Sequence, residues 1–233
     1  IGFDKVLLPV EAVNYLKTNK TTGRIFNHLN FGGYLMWQTG EQVYVDGRLE
    51  VMGEDFFKEY KSAIKQKQLL NLLDRYHADI VIFPYLIATS WLKQLRASEN
   101  WRLAYGDDVA VIFLRNGTNE HITTAFLPYR EHSALSSKER YLKLHAPRER
   151  GFKNWLTGFW GDRSFPREAV NNGLLYYFLD RYDLAEDWLL EALRLTNGSY
   201  YEIYTNLGAI YNRWKLYEDA LYCYETVLAE NPN

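Results

Sequence analysis

A single cysteine, Cys223, stands in the 233 residues, so no intramolecular disulfide can form and the redox compartment is left open. The expectation for such a lone thiol is burial. Charge shows no surplus of one sign: 27 Lys and Arg against 29 Asp and Glu give a net −2 and a pI near 6.3. The basic footprint that nucleic-acid binding requires is therefore missing. No run approaches the roughly 20 apolar residues of a membrane span. The most apolar stretch, Ile80–Ala88, has the length of a central strand entering a helix. The five histidines (His28, His77, His121, His132, His145) lack metal-ligand spacing and cysteine partners, so neither a metal nor another cofactor is expected. No G-x-S-x-G elbow and no P-loop is present. The chain opens on Ile1 without a signal-peptide pattern and reads as a piece of something longer or a processed product.

Hydrophobic residues make up 47% and aromatics 16%, with 7 Trp and 19 Tyr, enough for a sizeable core. A change of pattern near residue 120 argues for two domains. The expected division is an α/β domain over 1–116, a linker over 117–135 and a helical domain over 136–233.

The first domain is organised around Gly23–Arg48, GRIFNHLNFGGYLMWQTGEQVYVDGR. Gly23–Leu29 has strand length. Asn30-Phe31-Gly32-Gly33 reads as a turn, Tyr34–Trp37 as a short amphipathic helix, and Gln42–Asp46 as an alternating strand closed by Asp46-Gly47-Arg48. Around it, Val10–Lys20 is expected as a helix, Glu54–Tyr76 as one long helix, Asp79–Phe83 as a central parallel strand, and Tyr85–Ser98 as a helix. Trp101–Tyr105 and Val109–Arg115 should form a hairpin about Gly106-Asp107-Asp108. The sum is a three-layer α/β domain, its sheet mostly parallel with an antiparallel edge hairpin. In such a sheet the two polar turns would lie at the carboxyl edge, where ligands bind.

The second domain opens with a helix over Ser136–His145, with Ser136 as N-cap and Glu139 three residues on. A short aromatic helix, Phe152–Trp160, follows. Then Tyr204-x2-Leu207-Gly208-x2-Tyr211, Ala220-x3-Tyr224 and Pro232 match the tetratricopeptide pattern, with Tyr at its aromatic positions. A looser copy lies 35 residues earlier, where Gly173, Tyr176, Tyr182 and Ala185 align with Gly208, Tyr211, Tyr217 and Ala220; Asn172 stands there in an apolar position. All-α repeats of tetratricopeptide type are thus expected over about 166–200 and 201–233. Two are fewer than the three or so that such a stack needs, so either the helices at 136–160 cap it or the chain continues past Asn233.

Four segments taken together carry a family resemblance. They are Pro9–Leu16 (PVEAVNYL), Gly23–Asn27 (GRIFN), Gly32-Gly33-Tyr34-Leu35 with Trp37, and Val45-Asp46-Gly47-Arg48 with Gly53. The chain resembles the soluble C-terminal region of bacterial polytopic membrane glycosyltransferases of the GT-C type, over about residues 5–116. Such proteins use lipid-linked sugars, and some carry tetratricopeptide repeats after the membrane part. A more distant likeness links His28–Tyr34 to the acceptor-binding turn of oligosaccharyltransferases, but the paired tryptophans and the aspartate of that turn are missing. In the GT-C type the catalytic acid and any metal lie in loops of the membrane part, which this chain lacks. The resemblance therefore implies a periplasmic, extracytoplasmic tail joined to the membrane through an absent N-terminal part.

At the sheet edge the ligand-binding candidates are Asn30, Gly32 and Gly33, whose backbone N–H groups at a helix start suit a phosphate or sugar, together with His28, Asp46 and Arg48. Against this stands a purely structural role: a tight turn, and an ion pair that fixes it. Glu50, Glu54 and Asp55 are weak acid/base candidates, the latter two suiting a first helical turn. On the repeats, Arg167, Val170, Leu174 and Tyr177, then Glu202, Thr205, Ala209 and Asn212, would line a groove for a protein or peptide partner. Trp155, Trp160, Trp188 and Trp214 read either as core or as platforms for sugars. The glycosylation-like triplets at Asn19, Asn116 and Asn197 carry little weight if the source is bacterial, as the resemblance implies. No residue set assembles a catalytic site. The sequence points to a non-catalytic substrate- or partner-binding tail of a GT-C-like protein. A free-standing repeat scaffold, and a small enzyme acting at the Asn30–Arg48 edge, are the alternatives.

Overall fold

The computed structural model describes residues 8–48, 53–65, 68–129, 136–146, 165–198 and 200–230. The chain divides into two compact units, 1–128 and 129–233. Glu50, His132, Trp155, Trp160 and the expected Phe152–Trp160 helix lie outside the described residues.

In the first unit the described elements are α1 (Val10–Thr18), β1 (Ile25–Asn27), α2 (Leu29–Thr39), α3 (Glu54–Lys65), α4 (Leu69–Tyr76), β2 (Ile80–Phe83), α5 (Thr89–Arg96), β3 (Trp101–Gly106) and β4 (Val111–Arg115). The sheet is four-stranded and mixed, in the order β1-β2-β4-β3. Among the described strands only β1 and β2 pair parallel; β4 runs antiparallel to both β2 and β3. The expectation of a mostly parallel sheet is thereby corrected. Ile80–Phe83 is apolar on both faces because it is central and fully buried, and that pattern is blind to the direction of its neighbours. The hairpin returns β4, not β3, to the side of β2.

Alternation along the strands divides the core in two. Ile25, Ile80, Ile82, Ile112 and Leu114 meet Ala12, Val13 and Leu16 of α1 and Phe31 and Leu35 of α2 in one apolar cluster. The residues between them point the other way: Phe26 and Phe83 pack on Trp91 of α5, each with ring centroids 5.4 Å apart, and Trp91 also meets Tyr60 of α3.

Four local departures have visible causes. Asn30–Gly33 is not a turn but the first part of α2, which His28 caps. The expected strand Gln42–Asp46 makes one isolated bridge, Val43 to Ile25. Beyond it the buried Asn27 amide stands in for the ladder, since Nδ2 donates to the Val45 carbonyl (2.7 Å) and Oδ1 accepts from the Val45 N–H (3.2 Å). The expected long helix is described as two elements; Gln68 is the N-cap of α4, and the Leu69 N–H that opens it donates to the Gln94 side chain of α5 (3.2 Å). Residues 117–128 do not begin a linker. Phe126 bonds Gly106 and Ala104 along the outer edge of β3 and stacks on Tyr105 at 5.3 Å. The Arg102 guanidinium holds the carbonyls of Arg115, Thr118 and Asn119.

In the second unit α6 (Ser137–Leu144) opens with the full reciprocal capping box of Ser136 and Glu139. Among the described residues four helices follow: α7 (Arg167–Phe178), α8 (Tyr182–Thr196), α9 (Tyr201–Arg213) and α10 (Tyr217–Glu230). They form two hairpins that repeat at 35 residues. Asp180 and Lys215 both adopt left-handed backbone, φ 59° and 62°. Behind them, Arg181 N–H to Tyr176 O recurs as Leu216 N–H to Tyr211 O, both 2.9 Å. A Cβ on Gly173 or Gly208 would meet Leu189 or Tyr224 at 2.8 Å, so both glycines let the paired helices close up. Asn172 is buried without a partner for its Oδ1 among the described residues, where the second hairpin has the buried Leu207.

Candidate functional site

The carboxyl end of β1 brings His28, Gly32 and Asp46 together, and each is consumed by internal contacts. His28 stands at the N-cap of α2 with extended backbone, and its Nδ1 accepts from the Asn30 N–H at 3.3 Å. The Tyr60 hydroxyl accepts from the Leu29 N–H (2.9 Å), and the His28 carbonyl from the Phe31 N–H (2.9 Å). The first three N–H groups of α2, the set that would face an anion, are therefore already bonded. Gly32 is buried against the Val45–Asp46 segment: a Cβ there would lie 1.9 Å from the Val45 carbonyl oxygen. Asn30 and Gly33 are exposed on the outer side of the helix.

Asp46 and Arg48 pair with each other across one residue. The buried Asp46 carboxylate accepts from the Arg48 backbone N–H (2.9 Å), Nε (3.0 Å) and a terminal guanidinium nitrogen (2.6 Å). Those hydrogen bonds hold the Asp46 carboxyl below the usual carboxylate range. The pair fixes the turn that ends this segment, while the Arg48 side chain itself is largely solvated.

Two residues outside the expected site candidates shape this edge: Trp91, and Tyr60, which the helical spacing marks only as part of an apolar face. Trp91 meets the His28 ring edge-on at 5.8 Å and has no partner for its indole N–H among the described residues. Tyr60 is fully buried, and burial pushes its hydroxyl upward. Both sit at ordinary core spacings within helices, so the sequence carried no signal for them beyond aromatic content. Burial in this cluster pulls the His28 imidazole down from 6.5 to about 4. At neutral pH the ring is uncharged, far from the poise that general acid–base chemistry requires. A depressed histidine favours folding at high pH, and that contribution is lost on acidification. Urea midpoints are expected to fall between about pH 6.5 and pH 4, and the slope should flatten in His28→Asn, which keeps a capping acceptor. An unchanged slope in that variant would show that other groups cause the acid loss.

A cavity of about 420 Å³ opens on the opposite edge, at the amino ends of β1 and β2, between Leu16, Lys20, Gly23, Ile25, Glu41 and Ile80. None of the six edge candidates lines it. Among the described residues no group of three or more His, Cys, Asp and Glu side chains gathers to hold a metal, and no helix is long and apolar enough to cross a membrane.

Of the groove candidates, Glu202, Thr205 and Asn212 are exposed, Arg167, Leu174, Tyr177 and Ala209 half-buried, and Val170 buried. The open surface belongs mainly to the second hairpin. Tyr177 is held edge-on by Phe178 and Tyr182, at 5.8 and 5.4 Å. Trp214 is covered by the Arg140 guanidinium at 5.3 Å, and Trp188 is half-buried on α8. No family model, no curated protein and no solved structure matches this chain.

Proposed function

We propose that this chain is a non-catalytic binding module, a three-layer α/β domain followed by tetratricopeptide-type repeats, and that it forms the extracytoplasmic tail of a GT-C-like membrane glycosyltransferase. The observation that carries the binding role is the helical hairpin repeated at 35 residues, with Glu202, Thr205 and Asn212 open on its second copy. A stack of paired helices offers a long side-chain surface to an extended partner, so the occupant is a protein or peptide. Support for the non-catalytic reading comes from the sheet edge, where His28, Gly32, Asp46 and Arg48 serve capping, close approach and turn closure. The membrane and glycosyltransferase parts rest on the sequence likeness of residues 5–116. In that setting the tail would position an acceptor or partner beside a lipid-linked sugar.

Two measurements test this. An antibody to the chain should find it in alkali-resistant membranes, within a band much larger than 27.5 kDa; a soluble band of its own mass overturns the membrane assignment. Tyr177→Ala and Asn212→Ala should then weaken capture of the protein partner, with Asp46→Ala changing only thermal stability. Loss of turnover in a folded Asp46→Ala protein would instead favour an enzyme acting at the sheet edge.

A further inference from the structure

The acid buried on α8 is foreign to the repeat that carries it. One repeat length on from Glu186, α10 has Leu221, so pairing of the helices asks for no carboxylate there. Glu186 is nevertheless 2% exposed, and a buried ion pair is often no more stabilising than apolar residues of the same volume. What this acid holds is the guanidinium of Arg140 on α6.

The surroundings suit that group. Nε and a terminal nitrogen of Arg140 face the two Glu186 carboxylate oxygens, the second at 3.4 Å. The guanidinium carbon lies 5.3 Å from the centre of the Trp214 ring, and the charge of Asp219 on α10 favours the same cation. A planar fork of donors that also stacks on an aromatic face separates arginine from lysine. One repeat length before Trp214 stands Leu179, so the indole, like the acid, lies outside the repeat pattern.

The helix that delivers Arg140 is held as a ligand is held. α6 exposes Lys138, Glu139, Tyr141, Leu142 and Lys143, and its capping box closes its start from within. Arg140, the fully buried Leu144 and His145 fall on one side of it. The His145 ring lies 4.1 Å from Tyr141 of its own helix and 3.8 Å from Tyr222 of α10. A short polar helix turning in an arginine, with a leucine one turn on, is the form in which helical peptides enter grooves.

We infer that Glu186, Trp214 and Tyr222 form an arginine-recognition site for a helical peptide, that α6 occupies it from within the chain, and that a partner helix bearing Arg with Leu four residues on takes its place. The site uses none of Glu202, Thr205 and Asn212 and stands whether or not that groove is used. Exchange of one guanidinium for another leaves Glu186 paired and avoids the penalty of an emptied pocket. The tether sets the threshold, because the partner competes with a helix present at an effective concentration of about millimolar.

The test uses the 233-residue protein, with a fluorescent peptide of its own sequence Ser136–Ala146 as the probe. Arg140→Ala vacates the pocket. That protein should bind the peptide saturably, at least about tenfold tighter than the wild type does, and its melting temperature should rise on binding. Arg140→Lys in the peptide should weaken binding by at least about tenfold. The wild type gives a second readout that stands even where Arg140→Ala does not fold. With its histidines isotope-labelled, the His145 resonances feel the Tyr222 ring current, and unlabelled peptide at about millimolar concentration should shift them saturably as α6 leaves. No saturable binding to a folded Arg140→Ala protein, or binding indifferent to Arg140→Lys in the peptide, overturns the inference. His145 resonances that the peptide cannot move overturn it as well, since α6 would then be a fixed brace.

Discussion

Gly32→Ala should destabilise the first unit by about 3 kcal/mol or more, the upper range of overpacking costs, while Gly33→Ala next to it should stabilise by up to about 1 kcal/mol. The two glycines are adjacent on α2 and indistinguishable by composition. A Cβ on Gly32 would stand 1.9 Å from the Val45 carbonyl oxygen and 2.8 Å from the Asp46 Cα, so backbone must move. A Cβ on Gly33 meets nothing within 4 Å, and the substitution there simply exchanges glycine for a better helix former. Thermal or urea unfolding of the two variants measures the difference. Equal effects would mean that helix α2 does not lie against the Val45–Asp46 segment. Were Gly33 instead a ligand contact, its replacement would leave stability raised but would abolish binding of the sugar or phosphate.

The second large effect belongs to Arg140 and Glu186. From α6, the Arg140 guanidinium bonds both carboxylate oxygens of Glu186 and lies over the Trp214 ring at 5.3 Å. Burial raises the Glu186 carboxyl above its ordinary range even though Arg140 pulls it down. Arg140→Met strands a buried carboxylate, and the expected loss is about 3–5 kcal/mol at neutral pH. The sign of its pH dependence is fixed. A carboxyl raised on folding contributes stability below its unfolded value and loses it as pH climbs through the folded one. The Arg140→Met deficit should therefore be smaller near about pH 5 than near about pH 8. Arg140→Met/Glu186→Leu should recover most of the loss, since apolar replacement of both partners removes the desolvation cost. Denaturant titrations at the two pH values decide it. A deficit independent of pH, with no recovery in the double variant, would locate the effect in the lost stacking on Trp214.

Much of the fold was legible because period and composition act locally. Ala12, Val13 and Leu16 mark the buried face of α1, and Ile80–Phe83 could only be a covered strand. The Ser136–Glu139 capping box is written into four residues. The second hairpin announced itself through Gly208 and its aromatic neighbours, and the first followed from it. At the sheet edge, local pattern misled by presenting Asn30–Gly33 as a turn. Glycine pairs usually break helices, but here close packing against Val45 selects Gly32, and His28 caps the helix before them.

The sequence by itself determined that no disulfide forms within these residues, a balanced charge, the α/β-then-helical order and the 35-residue repeat. Each is a property of neighbours along the chain or of simple counts. Only the tertiary structure decided that β4 inserts beside β2, that Asn27 substitutes its amide for a strand's backbone, and that the polar groups about His28 and Asp46 are spent on one another. It also decided that Arg140 reaches Glu186 across 46 residues and that Leu221 stays open where Glu186 is closed. These depend on which surfaces meet in space, where close approach and desolvation set the energies and sequence spacing carries no record of the partner.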